Sequence, residues 1–194
     1  MSIRGSRRRR AGLPLPPRDG EVVDIVEMRR RDIASVVAIE REIFAEPWSQ
    51  GLYLSELAQR ATRRYYAATS GGNVVGYAGG ILVAGEAHVT TIGVARSWQK
   101  RKIGARLMYR FVADAREWGA GSITLEVRMS NTFAQRLYEW FGFAPVGVRK
   151  NYYVATGEDG LVMHIADADS EEYGERLRAI GRALGEVVEE QTTS

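Results

Sequence analysis

The chain has 194 residues, 45% of them hydrophobic and 26% charged, so it is long enough for one ordinary domain with tails and too apolar to be collagenous, mucin-like or wholly disordered. It has no cysteine and only two histidines, His88 and His164, which excludes disulfide scaffolds, thiol nucleophiles and metal centres built on cysteine or clustered histidine. The net charge of +3 is unevenly placed: residues 1–20 hold Arg4, Arg7, Arg8, Arg9, Arg10 and Arg18 against Asp19, or +5, whereas the remainder holds 21 basic and 23 acidic side chains, or −2.

The arginine run beside Pro14-Leu15-Pro16-Pro17 reads as a disordered basic arm able to touch RNA or another polyanion, or equally as a solvated tail without a specific partner. It is too short and too proline-broken to be the apolar region of a secretory signal, and the longest weakly polar stretch, Val74 to Gly85, falls far short of the roughly 20 apolar residues that cross a bilayer. A cytoplasmic location without membrane contact is expected.

Glu21 to Val26 alternates loosely and predicts a first strand. Asp32 is placed to cap a helix whose apolar positions Ile33, Val36, Val37, Ile39, Ile43 and Phe44 fall at helical spacing; Pro47-Trp48-Ser49 breaks it, and Ser49 caps a second helix carrying Leu52, Leu54 and Leu57. Tyr65 to Ala68 and Val74 to Val83, separated by Ser70-Gly71-Gly72-Asn73, predict a hairpin, and Ala87 to Val94 a further strand. Ile103 to Trp118 presents Ile103, Leu107, Met108, Phe111, Val112 and Ala115 on one face of a long helix ended by Gly119. Ser122 to Val127 is strand-like, Asn131 opens a helix that stops at Gly142, and strands Phe143 to Val148 and Leu161 to Ile165 flank a turn at Thr156 to Gly160. Tyr173, Leu177, Ile180, Leu184 and Val187 or Val188 recur at helical steps, giving an amphipathic C-terminal helix expected to pack on its own domain. The whole predicts an α/β domain with a mixed sheet flanked by helices.

The segment Val94-Ala95-Arg96-Ser97-Trp98-Gln99-Lys100-Arg101-Lys102-Ile103-Gly104-Ala105 joins a strand to a helix through a basic turn. The first amides of a helix have no internal partner and sit at the positive end of its dipole, so this junction is suited to a pyrophosphate, with Lys100, Arg101 and Lys102 adding charge and Gly104 allowing close approach. Glu126 lies near the end of an otherwise apolar strand, where a carboxylate has little packing reason to be. Tyr138 follows Asn131 by two helical turns, which places both on one face. Each has a plainer reading: Glu126 paired with Arg128 or a neighbouring strand, Tyr138 as half-buried packing, His88 as a satisfied strand histidine or an alternative base, His164 as structural.

Gln99 and Gly104 with the following long helix, then Asn131 and the Leu137-Tyr138 to Gly142-Phe143 ending, resemble the GNAT family of N-acetyltransferases over roughly Val22 to Ala166. Lys102 stands where that family usually has a glycine; if the position requires a positive φ, the lysine costs about 1 kcal/mol of strain. Leu125-Glu126-Val127-Arg128-Met129-Ser130-Asn131, with Phe44-Ala45-Glu46-Pro47-Trp48-Ser49 and Arg149-Lys150-Asn151-Tyr152-Tyr153, resembles the RimI-like branch, which acetylates the N-terminal alanine of a small-subunit ribosomal protein. The resemblance implies acetyl-CoA as co-substrate and no metal, held by Ile92, Gly93, Val94, Gln99, Lys100, Arg101, Lys102, Ile103, Gly104, Ala105 and Asn131. It makes Glu126 the base and Tyr138 the acid, and makes Trp48, Tyr152 and Tyr153 the acceptor channel. The Val94 amide becomes the donor to the thioester carbonyl. It also divides the chain into a tail (1–20), an acetyltransferase domain (21–167) and a C-terminal helix with tail (168–194), in a monomer or weak dimer that acts on a ribosomal protein N-terminus. A lysine or small-amine acetyltransferase, or an acyl-CoA-binding module of weak activity, are the alternatives.

Overall fold

The computed structural model describes residues 12–18 and 20–186. Seven strands form one sheet: β1 (Asp24–Glu27), β2 (Arg63–Ser70), β3 (Asn73–Val83), β4 (Glu86–Val94), β5 (Ser122–Arg128), β6 (Ala144–Tyr153) and β7 (Glu158–Ile165). Five helices accompany them: α1 (Ile33–Ile43), α2 (Gln50–Ala58), α3 (Ile103–Glu117), α4 (Thr132–Phe141) and α5 (Glu171–Leu184). The strand order is β1-β2-β3-β4-β5-β7-β6. Every pairing is antiparallel except β4 with β5, the two strands joined by α3, because a parallel neighbour requires a crossover.

Alternation along β3 sends successive side chains to opposite faces, and that separates the two helical layers. A Cβ at Gly76 would come within 3.3 Å of Ile103 and Leu107 of α3. The next residue, Tyr77, reaches the other way and donates its hydroxyl to Glu40 of α1. Gly80 shares the α3 face; a Cβ there would lie 2.6 Å from Phe111 and 2.1 Å from the His88 carbonyl oxygen, so glycine is what lets α3 lie this close to the sheet. The buried stripe of α3, Ile103, Leu107, Met108, Phe111, Val112 and Ala115, is the one its sequence spacing predicts.

The elements expected from sequence are present, with three corrections. Asp32 does not cap α1 with its side chain; its carboxylate accepts the Arg29 N–H and closes a 3-10 turn, Arg30–Asp32, that runs into the helix. The first strand begins at Asp24, not Glu21. Strands β6 and β7 run further than expected, to Tyr153 and from Glu158, so Tyr152 and Tyr153 stand on a strand end and the turn shrinks to Val154–Gly157. The C-terminal helix ends at Leu184 with Gly185 in the left-handed region; Val187 and Val188 lie outside the described residues. Tyr173, Leu177 and Ile180 bury α5 on its own domain, and the Tyr173 hydroxyl donates to the Phe141 carbonyl.

Of the N-terminal arm, residues 1–11 and Asp19 lie outside the described residues. The Leu15 carbonyl accepts the indole N–H of buried Trp98 at 2.8 Å, which places the proline segment against the domain beside the basic turn. Among the described residues no helix is long and apolar enough to cross a membrane.

Candidate active site

Strands β4 and β5 are paired only from Glu86 with Ser122 to Val89 with Leu125. Beyond that point each continues without the other, β4 through Thr90–Val94 and β5 through Glu126–Arg128. The parting opens a cleft of about 430 Å³. A register shift between Gly79 and Gly80, opposite Val89 and Thr91, falls at the same place on β4.

Glu126 is the first β5 residue past the parting, and its side chain is only 3% exposed. Oε2 lies 2.9 Å from His88 Nε2 on β4 and accepts the Tyr152 hydroxyl at 3.4 Å. Oε1 lies 3.0 Å from Arg149 Nη1 on β6, a contact close enough for an ion pair but without hydrogen-bond angles, so this buried oxygen keeps its lone pairs. Burial pushes the carboxyl up, but His88, Arg149 and the Tyr152 hydroxyl outweigh it and hold Glu126 below the ordinary glutamate value. Of the plainer reading, pairing with a neighbouring strand is present through His88, while pairing with Arg128 is not: Arg128 turns to Thr156 and Glu158 and lies over the Tyr153 ring at 3.9 Å.

Asn131 and Tyr138 both line the cleft, as their seven-residue spacing requires. Asn131 caps α4 by accepting the Ala134 N–H at 3.1 Å. Tyr138 is 6% exposed, against the edge of Phe143. Burial, with a contribution from Tyr153, raises its phenol well above the ordinary value, so it stays protonated and able to donate.

The cleft is also lined by Trp48, Tyr152 and Tyr153. Trp48 stands in the link between α1 and α2, where Ser49 caps α2 through the Leu52 N–H at 3.1 Å, as its sequence position predicts. Tyr152 and Tyr153 are placed by a bulge in β6, where Arg149 faces Gly160 but Tyr153 faces Glu158. Asn151 takes a positive φ of 49° there, a conformation asparagine tolerates, and Asp159 fixes it by accepting the Asn151 N–H and the Lys150 ammonium. Gly160 leaves room for the Tyr152 ring, 3.0 Å from where a Cβ would stand. Burial moves the Tyr153 phenol up to about 12, with the neighbouring Tyr152 adding to it.

The basic turn is not part of this cleft wall; of the expected cofactor residues, only Ile92 and Asn131 line it. Gly93 is buried on β4, where a Cβ would strike Ile43 and Tyr77. Val94 ends β4, and its carbonyl accepts the Gln99 side-chain amide at 3.1 Å, so Gln99 braces the turn against the strand. Ile103 and Ala105 bury their side chains in the core and offer a ligand only their main-chain N–H groups. Lys100, Arg101 and Lys102 are exposed, and two of them hold left-handed backbone, Lys100 at φ 62° and Lys102 at φ 59°. Two strained lysines immediately before a helix N-terminus whose amides are open fit an anionic ligand, since such strain persists where surrounding structure and function demand it. His164 lies half-buried on β7 beside Thr124 and Ala144, away from the cleft.

Sequence reasoning assigned no role to Arg149 and missed Glu40. The signal for Glu40 was present: it falls three and four residues from Val37, Val36 and Ile43, on the apolar stripe of α1, where a carboxylate must find partners.

Three comparisons bear on this arrangement. Residues 33–143 match the model of the Acetyltransferase (GNAT) family. The chain is 37% identical over 157 residues to the N-alpha-acetyltransferase RimI of Mycobacterium tuberculosis, covering 78% of this chain and 97% of that one. It is 30% identical over 141 residues to the [Ribosomal protein bS18]-alanine N-acetyltransferase of Escherichia coli K12, covering 72% and 94%. The crystal structure of the ribosomal-protein-S18-alanine N-acetyltransferase from Escherichia coli superposes with a TM-score of 0.68 at 29% identity, over 74% of this chain and 93% of that one. With a family match across more than half its length and a parted β4–β5 pair ahead of a basic helix N-terminus, this chain belongs to the GNAT family of acetyltransferases.

Proposed function

We propose that this protein transfers an acetyl group from acetyl-CoA to the α-amine of the N-terminal alanine of a small-subunit ribosomal protein, acting in the cytoplasm. The acceptor class is supported by the names of relatives at 30% and 37% identity. The reaction is supported by one observation above the others: Glu126, side chain buried, keeps Oε1 free of hydrogen bonds inside a cleft that also holds the protonated phenol of Tyr138.

An N-terminal ammonium has a pKa of about 8, so about a tenth of it is neutral and nucleophilic at pH 7. A carboxylate held below its ordinary value is too weak a base to strip the ammonium beforehand. It is suited instead to take the proton once the nitrogen has begun to bond to the acyl carbon and has become strongly acidic. Glu126 fills that role, directly or through a water; Tyr138 supplies the proton to the departing thiolate. The amides at the start of α3, with Lys100, Arg101 and Lys102, hold the pyrophosphate, Gln99 braces that turn, and Ile92, Gly93 and Asn131 flank the arm. The Val94 amide faces the carbonyl oxygen, while Trp48, Tyr152 and Tyr153 guide the acceptor. No metal takes part. With no cysteine to carry an acyl group, transfer is direct, within a ternary complex.

Thiol release from acetyl-CoA, with an alanine-starting peptide beside the same peptide blocked at its α-amine and carrying a free lysine, tests the reading. Release with the free amine alone supports it. Release with the blocked peptide would instead favour lysine acetylation, and release with neither would refute the assigned acceptor. The arginine-rich arm adds a contact with RNA, which is expected to weaken steeply with salt and to vanish when residues 1–20 are deleted.

A further inference from the structure

Glu40 is 1% exposed, yet it borders the cleft. Its Oε1 accepts the Tyr77 hydroxyl at 2.6 Å from β3, the Tyr53 hydroxyl at 2.7 Å from α2 and the Thr91 hydroxyl at 3.3 Å from β4. Its Oε2 accepts a single bond, from the main-chain N–H of Trp48 at 3.1 Å. One carboxylate thus ties the sheet and both helices of one layer to the link that carries Trp48. A buried carboxylate left with fewer partners would be costly, so this bonding holds the link in one place. Trp48 is further braced by its ring contact with Tyr53, at 5.4 Å between centroids, and by the Ser49 cap on the next residue. The side-chain partners of Glu126 lie on β4 and β6, and none of them is shared with Glu40.

We infer that Glu40 is a positioning residue for the acceptor: through Oε2 it fixes the main chain at Trp48 and so sets how tightly the acceptor peptide is held, without acting on acetyl-CoA. This rests on the reading of Trp48 as acceptor wall. What the role requires is an oxygen at the right reach rather than a negative charge. The tyrosine and threonine hydroxyls can accept as well as donate, so a carboxamide can turn its nitrogen to them and leave its oxygen on Trp48.

The test compares Glu40→Gln, Glu40→Met and Glu40→Asp with an alanine-starting peptide and acetyl-CoA as varied substrates. Glu40→Gln is expected to keep the acceptor KM within about threefold of the parent, while Glu40→Met and the shorter Glu40→Asp raise it roughly tenfold or more, the scale of one lost hydrogen bond to a charged group. The KM for acetyl-CoA should not move in any of the three. A Glu40→Gln defect as large as that of Glu40→Met would show that charge matters and overturn the inference; so would equal rises in both KM values, or a fall in kcat alone. Should Glu40→Met fail to fold, Glu40→Asp against Glu40→Gln carries the same comparison. Amide exchange at Trp48 provides a readout independent of turnover: slow in the parent and in Glu40→Gln, fast in Glu40→Asp. A Trp48 amide as fast as that of exposed Glu46 in the parent overturns the inference. A parent enzyme inactive on the peptide refutes the assigned acceptor and leaves the exchange test standing.

Discussion

Lys102 occupies left-handed backbone, φ 59° and ψ 8°, at the residue that leads into α3. Lysine and alanine share the cost of that conformation, about 1–2 kcal/mol, whereas glycine escapes it but loses about 0.5–1 kcal/mol to its greater freedom in the unfolded chain. Lys102→Gly should therefore stabilise the fold by about 0.5–1 kcal/mol over Lys102→Ala, or roughly 1–4 °C in Tm for a chain of this size. Charge acts separately. A unit charge about 6 Å from one phosphate charge in water is worth about 0.7 kcal/mol, and about twice that against both phosphates of a pyrophosphate. Screening at physiological salt reduces this, so both variants should bind CoA about three- to tenfold more weakly than the parent. Thermal unfolding and titration calorimetry with CoA at two salt concentrations separate the effects: stability should follow the order Gly above Lys and Ala, and affinity the order Lys above Gly and Ala. Equal Tm values for the two variants would refute the strain argument. Undiminished affinity in both would refute the assignment of this turn to the pyrophosphate.

Glu126→Gln is expected to lower kcat by about 10²–10⁴-fold while CoA binding by calorimetry is unchanged, the range for loss of a positioned base; unchanged turnover would end that assignment. Tyr138→Phe removes the only proton its buried ring can supply and should lower kcat by about 10–10³-fold, with no alkaline limb from the phenol below pH 10 in the parent, since its pKa lies above the ordinary value. Because folding lowers the Glu126 pKa, its ion pairs stabilise the protein above the unfolded value of about 4.3 and are lost as pH falls through the lower folded value. Urea midpoints between pH 6 and 3 should therefore fall less steeply for Glu126→Gln than for the parent. Gly80→Ala forces a Cβ to within 2.1 Å of the His88 carbonyl oxygen, and should cost about 1–3 kcal/mol, read as a Tm drop of roughly 3–10 °C.

What the sequence made legible follows from what local patterns encode. The stripe of α3 and the caps at Ser49 and Asn131 are set by residues within a few positions of each other, and they appear where the spacing places them. Glu126 stood out as a carboxylate in an apolar strand, but it was the resemblance to the GNAT family that singled out both Glu126 and Tyr138. Their partners could not be identified as such. His88, Arg149 and Tyr152 converge on Glu126 from β4 and β6, brought together by strand order. Asp32 misled because an aspartate before an apolar run caps either an α-helix or a 3-10 turn, and the choice depends on where its side chain finds an N–H. The extra length of β6 and β7 was hidden because the pairing continues around a bulge held by Asp159, through polar residues that carry no strand signal.

The location of the cleft and the ionised state of Glu126 are both set by where the sheet pairing stops. Where β4 and β5 stop pairing after Val89 and Leu125, each loses its ladder partner on that side only, β4 keeping β3 and β5 keeping β7, and polar groups facing the gap need other company. Residues just past the parting on β5 can therefore carry a carboxylate that a fully paired central strand would exclude. Glu126 finds its side-chain partners on β4 and β6: His88, two residues before Thr90, and Arg149, at the edge of the β6 bulge. The β6 bulge brings the Tyr152 hydroxyl to Glu126 beside Arg149, while His88 reaches it from the regularly paired part of β4. Removing the β6 bulge would be expected to take Arg149 and the Tyr152 hydroxyl away from Glu126 together. Deleting two residues from Lys150–Tyr152 should thus abolish turnover while leaving the α3 turn, and with it CoA binding, in place; retention of activity would mean that the bulge has no part in building the site.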